Sequence, residues 1–140
     1  VRMAFINVPV ADKETSKSFY SALGFTPNPQ FESDTTACIL VEENIFVLVH
    51  EPERWKDFLH SEPAPAGTTA FMIALSADSR DECDTLKAKA LANGGSEYGP
   101  AQDFGFMYGT SFRDPDGHVW EVTWMDVAAA AEAGGINSPS

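Results

Sequence analysis

Apolar and polar positions alternate along this chain in an order that runs through it twice. The run Phe5-Ile6-Asn7-Val8-Pro9-Val10 has the two-residue period of a strand and leads to Asp12, a helix-cap residue. From Lys13 to Leu23 the period lengthens: Phe19, Tyr20 and Leu23 fall on one side of a predicted helix, and Gly24 stops it. A weak strand broken by Pro27 and Pro29 follows. Residues 36–41 and 45–50 then read as a hairpin around Glu42-Glu43-Asn44. The same order returns with a strand at Met72 to Ala77 and a capping box at Ser79-Arg80-Asp81-Glu82. A helix over 80–92 ends at Asn93-Gly94-Gly95, a short strand lies near Ser96 to Tyr98, and a hairpin turns at Asp114-Pro115-Asp116-Gly117.

These periods predict one α+β domain over residues 1–126, made of module one (3–50), a linker (51–67) with a short helical turn near Trp55 to Leu59, and module two (68–126). Residues 127–140 read as a tail, helical at first and frayed toward Ser140. Two copies of one small sheet, packed side by side, can enclose a cleft that neither forms alone.

Composition narrows the function classes. The chain has 140 residues, 44% of them hydrophobic, enough to fill a core without disulfides. Its net charge of -12, with only nine Lys and Arg, argues against a nucleic-acid partner. No run is long and apolar enough for a membrane helix and no leader pattern stands at the start, so a cytoplasmic address is the default expectation. Cys38 and Cys83 have no metal-like spacing.

The segments Ser18-Phe19-Tyr20-Ser21-Ala22-Leu23-Gly24-Phe25 and Phe112-Arg113-Asp114-Pro115-Asp116-Gly117-His118-Val119-Trp120-Glu121, set in the repeated order, resemble the vicinal oxygen chelate superfamily. Glyoxalase I, bleomycin-resistance proteins and extradiol dioxygenases belong to it. The resemblance covers residues 3–126 and implies two tandem βαβββ modules forming a cup-shaped mixed sheet. It does not select a reaction, because one scaffold serves metal enzymes and metal-free binders alike.

In metal-dependent relatives each module supplies one ligand about seven residues before the helix cap and one about four residues after the hairpin turn. Those positions here are Phe5, Leu48, Met72 and Glu121. Only Glu121 suits a hard or borderline cation, so no cofactor is expected. A His50 and Glu121 pair holding a divalent metal is the alternative. Strand alternation puts Phe5, Asn7, Phe46, Leu48, His50, Met72, Glu121 and Thr123 on the cup side and Ile6, Val8, Ile73 and Leu75 under the helices. Pairing across a four-residue turn sets Thr110 opposite Glu121 and Tyr108 opposite Thr123, which would bring Tyr108 into the cup. Glu121 is then either a catalytic or ligand-recognising carboxylate or a group satisfied by Tyr108 or Thr110. The alternation sends Trp120 and Trp124 to the core, and the loop 99–105 could close as a lid.

Two functions remain open at this point. One is a binding protein taking a small organic molecule, cationic or amphipathic, in an apolar cup without a complete metal site. The other is a lyase, isomerase or dioxygenase-like enzyme using Glu121 as base or as part of an incomplete metal site. The partners expected are a small-molecule ligand and a second copy of the chain in a homodimer, with neither nucleic acid nor membrane.

Overall fold

The computed structural model describes residues 1–132; the fraying expected toward Ser140 lies outside the described residues. β1 (Ala4–Pro9), α1 (Lys13–Ala22), β2 (Thr26–Pro27), β3 (Thr36–Glu42) and β4 (Ile45–His50) make the first module. The linker holds α2 (Pro52–Phe58). The second module has β5 (Met72–Ser76), α3 (Arg80–Ala92), β6 (Ser96–Glu97), β7 (Gln102–Asp103), β8 (Met107–Arg113) and β9 (Val119–Met125), and α4 (Val127–Glu132) follows. No helix among the described residues is long and apolar enough to cross a membrane.

Local chemistry sets the helix starts. Asp12 caps α1 by accepting the Glu14 N–H at 3.1 Å and the Thr15 hydroxyl at 2.9 Å. Ser79 accepts the Glu82 N–H at 3.1 Å, while the Glu82 carboxylate reaches back to the Asp78 N–H at 2.9 Å. The reciprocal bond thus lands one residue earlier than in the usual capping box.

The first sheet has the order β1-β4-β3-β2 and the second β5-β9-β8-β6, with β7 also on β8. In each, the strand before the helix runs parallel to the last strand of its module, β1 with β4 and β5 with β9. Val8, Ile39, Val47 and Val49 from the first sheet join Ile73, Phe112, Trp120 and Val122 from the second in one core with Phe19 and Tyr20 of α1 and Cys83 and Ala90 of α3. Both sheets therefore turn their helix-facing sides toward the same core. The opposite sides, carrying Phe5 and Leu48 in one and Met72 and Glu121 in the other, lie outside it. Each of these we call an open face.

Tyr20 joins the modules chemically as well as by packing. Its hydroxyl donates to Asp114 Oδ2 at 2.5 Å and accepts from Trp120 Nε1 at 3.1 Å. Asp114 Oδ1 accepts the N–H groups of Asp116 and His118 at 2.9 and 2.8 Å. Burial pushes the Asp114 carboxyl above the ordinary carboxylate range, against the opposing pull of His118 and the Tyr20 hydroxyl. Burial, then the neighbouring Asp114, holds the Tyr20 phenol well above its usual value.

The β8–β9 hairpin corrects the expected register. Gly117 donates to Asp114 O at 3.0 Å, closing a turn, and Asp114 N donates to His118 O at 2.9 Å. Gly117 has φ +89°, so the connection is a turn plus one left-handed residue, a three-residue loop flanked by Asp114 and His118. That odd residue moves every pair by one: Ser111 faces Glu121, Thr110 faces Val122 and Tyr108 faces Trp124. Tyr108 and Thr110 consequently lie on the helix side, where Thr110 donates to Cys83 O at 3.0 Å and Tyr108 to Asp84 at 2.5 Å. Neither can satisfy Glu121.

The loop expected to move as a lid is fastened. β7 lies inside it and pairs with β8. Arg80 grips the Asp103 carboxylate with two bonds of 2.7 and 2.9 Å and also donates to Gly105 O. The Arg80 bonds hold the Asp103 carboxyl down at about 2. A depressed acid contributes stability above its unfolded value and loses it as pH falls through the folded value, so the grip persists down to about pH 2. Arg80→Ala is expected to lower backbone order parameters at residues 102–105 below about 0.6, as read by NMR relaxation, while leaving the rest of the chain near 0.85.

Candidate functional site

The open face of the first sheet carries a pocket of about 320 Å3. Its floor is one pleat deep and follows from the register: Leu48 stands opposite Cys38 across the β3–β4 hairpin and His50 opposite Thr36, with Phe5 on the neighbouring edge strand. Its walls come from outside the sheet. Phe31 projects from a short 3-10 turn at Pro29–Phe31, and Arg54 and Phe58 come from successive turns of α2. Lys13 and Lys17 both pair with Glu32, at 3.1 and 2.9 Å, and Lys13 also donates to Ser33 O, which holds the Phe31 wall against α1. The Lys13 N–H donates to Glu51 Oε2 at 2.9 Å and ties down the start of α2.

His50 is buried, 2% exposed, at the heart of this floor. Asn7 turns its amide nitrogen to Phe5 O, so its Oδ1 accepts from His50 Nε2 at 2.9 Å. With the proton on Nε2, Nδ1 accepts the Thr36 hydroxyl at 2.8 Å. Burial, then the charge of Arg54, lowers the His50 pKa, so the ring is neutral at pH 7. Phe58 packs on the imidazole with ring centres 4.7 Å apart, and the Arg54 guanidinium lies 4.6 Å above Phe58. Burial also pushes the Cys38 thiol up, leaving it a small apolar group rather than a nucleophile.

The pocket gathers Phe5, Leu48 and His50 of the expected residues. Asn7 serves it through His50, and Phe46 stacks on Phe5 with ring centres 5.0 Å apart. Met72, Glu121 and Thr123 belong to the open face of the second sheet and do not line the pocket, and Tyr108 lies on that sheet's other side. Glu121 is half-buried, and its side chain makes no hydrogen bond or ion pair among the described residues. Sequence reading missed Phe31, Ser33, Thr36, Cys38, Arg54 and Phe58. Alternation across the first hairpin carried the signal for Thr36 and Cys38, and the four-residue spacing of Arg54 and Phe58 carried it for the helix wall.

The residues at the four ligand positions do not fit a metal well. Phe5 and Leu48 offer no ligand atom, Met72 only a soft thioether, and Glu121 stands on the other sheet from His50, whose two ring nitrogens are already bonded. Among the described residues no group of three His, Cys, Asp or Glu side chains could hold an ion.

Comparison with known proteins agrees with this architecture. A family model described as Glyoxalase/Bleomycin resistance protein/Dioxygenase superfamily matches residues 2–122. A hypothetical protein from S. aureus is 25% identical with a TM-score of 0.75, over 89% of this chain and 94% of its own. A glyoxalase/bleomycin resistance protein from Albidiferax ferrireducens T118 is 25% identical with a TM-score of 0.66, over 87% of this chain and 97% of its own. A fosfomycin resistance protein from Mesorhizobium loti shares the fold at 14% identity and a TM-score of 0.67, over 92% of this chain and 96% of its own. No curated protein matches the chain.

Proposed function

Since the chain belongs to the glyoxalase/bleomycin resistance protein/dioxygenase superfamily, we propose that it binds a small organic molecule in the Phe58-walled pocket without a resident metal. The observation that carries this reading is the fully bonded His50 in an aromatic pocket. The ring spends both nitrogens on Thr36 and Asn7 and is covered by Phe58, while the exposed rings of Phe5, Phe31 and Phe58 offer flat apolar area. Arg54 is the charged group in the lining, so a neutral or anionic aromatic compound fits better than the cation that a nearby Glu121 would have favoured.

A thermal-shift screen of catechols, hemithioacetals and hydrophobic cations tests this. Stabilising hits are expected among the aromatic compounds, and Phe58→Ala should weaken them roughly tenfold through the lost stacking surface. Hits drawn mainly from the cations, or unchanged by Phe58→Ala, would sink the proposal.

The chain acts as a homodimer in this reading. Phe104 and Val127, 56% and 63% exposed and outside the pocket, leave apolar surface for a second copy to cover. Sedimentation equilibrium should return about twice the chain mass of 15.2 kDa. A single-chain mass at high concentration would count against the dimer. Two free buried thiols, Cys38 and Cys83, suit a reducing cytoplasmic compartment.

A further inference from the structure

A second cavity, of about 430 Å3, lies where the linker crosses from one module to the other. Pro9 and Val10 at the end of β1, Pro65 and Phe71 of the linker and Val119 of β9 make its apolar walls, and Arg113 of β8 supplies its cation. Among the described residues, Arg113 Nε is the one buried side-chain nitrogen or oxygen without a hydrogen-bond partner. Arg113 also enters none of the ion pairs among those residues, in a chain where 21 acidic residues face nine basic ones. Its guanidinium lies 5.2 Å from the centre of the Tyr98 ring, which supports the side chain from below.

Three other polar groups in the lining have partners of their own, among them the Thr68 hydroxyl, which donates to Pro65 O. His118 Nε2 donates to Pro9 O at 2.6 Å, and Asp116 Oδ1 accepts the Ala11 N–H at 2.8 Å. What the cavity lacks is an acceptor for the Arg113 Nη–H groups, which enter no hydrogen bond or ion pair among the described residues. Nε–H itself is enclosed by protein, so a carboxylate in the cavity would accept from the Nη–H groups at the outer end of the guanidinium. Asp116, also in the lining, disfavours a dianion.

We propose that this cavity is a binding site for a small monocarboxylate with an apolar body, held by the Arg113 Nη–H groups. It is separate from the Phe58-walled pocket and does not depend on what that pocket binds.

The test is an NMR titration of the full chain with hexanoate as probe and 1-hexanol as its uncharged counterpart. Hexanoate should shift the amides of Phe71, Gly117 and Val119 and bind at least about tenfold more tightly than hexanol. Arg113→Met should abolish that preference. Should Arg113→Met not fold, Ala66→Trp decides: it obstructs the cavity from the exposed linker, leaves Arg113 in place and should weaken hexanoate about tenfold or more. Equal binding of hexanol and hexanoate would overturn the proposal, as would shifts confined to the surroundings of His50 and Phe58. So would hexanoate binding unaffected by Ala66→Trp, or no saturable shift at all up to about 50 mM.

Discussion

Replacing Tyr20 with Phe is expected to destabilise the fold by about 2–4 kcal/mol, far more than removal of one hydroxyl from a surface tyrosine. The phenol is fully buried and serves two partners at once, Asp114 as donor and Trp120 as acceptor. Its loss leaves a buried carboxylate oxygen and a buried indole N–H unpaired, and neither can reach water. The pH dependence carries a signature that simple loss of packing would lack. Asp114 already has a raised folded pKa; without the Tyr20 donor it rises further. A raised acid holds its proton more tightly folded than unfolded, so stability falls as pH climbs through the window between the two values. The deficit of Tyr20→Phe should therefore be full at neutral pH and shrink as the solution is acidified. Urea unfolding at two pH values measures it, and a deficit that is the same at both would show that Asp114 is not the group responsible.

Leu48→Trp should abolish ligand binding in the Phe58-walled pocket, with a loss of more than about a hundredfold. Leu48 stands in the middle of the floor, between Cys38 on one strand and Asn7 on the other, so an indole there fills the cavity rather than the core. The stability cost should stay below about 2 kcal/mol because the side chain points away from the helices. Met72→Trp is the matched control, an equally bulky change on the open face of the second sheet, and should leave affinity for a pocket ligand within about twofold. Calorimetric titration of one hit from the screen against both variants separates the faces. Retained binding in Leu48→Trp, or loss in Met72→Trp instead, would move the ligand to the other sheet.

The duplicated order of elements was legible because each period is a local property. Alternation in 4–9 and 45–50, helical spacing of Phe19, Tyr20 and Leu23, and the Ser79 cap are all written within a few residues, and the elements formed there. The placing of Ile6 and Val8 under the helices followed from the same local rule, as did the burial of Trp120. Tyr108 went to the wrong side because strand parity in a hairpin hangs on whether one residue, here Asp114, belongs to the turn or to the ladder. Asp114 N donates to His118 O and so closes the ladder, leaving three residues in the loop where four were expected. The site was half legible for a different reason. Phe5, Leu48 and His50 sit on one sheet, but the walls come from α2 and the 3-10 turn, whose docking depends on distant ion pairs with Glu32 and on the Glu51 bond to Lys13. No pattern within one module reports such a contact. Nor does it report which way two modules turn, and that turn is what parts Glu121 from the pocket.

The core common to both halves bears on how such a chain could have arisen. A half-length ancestor would have left the side now bearing Tyr20 or Trp120 bare to water, and it could have persisted only by pairing with a twin. Fusing two genes end to end converts that encounter from one governed by cellular abundance into one governed by tether length, with an effective concentration in the range of about millimolar. Tethered halves can differ without falling apart, and here one open face carries a histidine and the other a carboxylate.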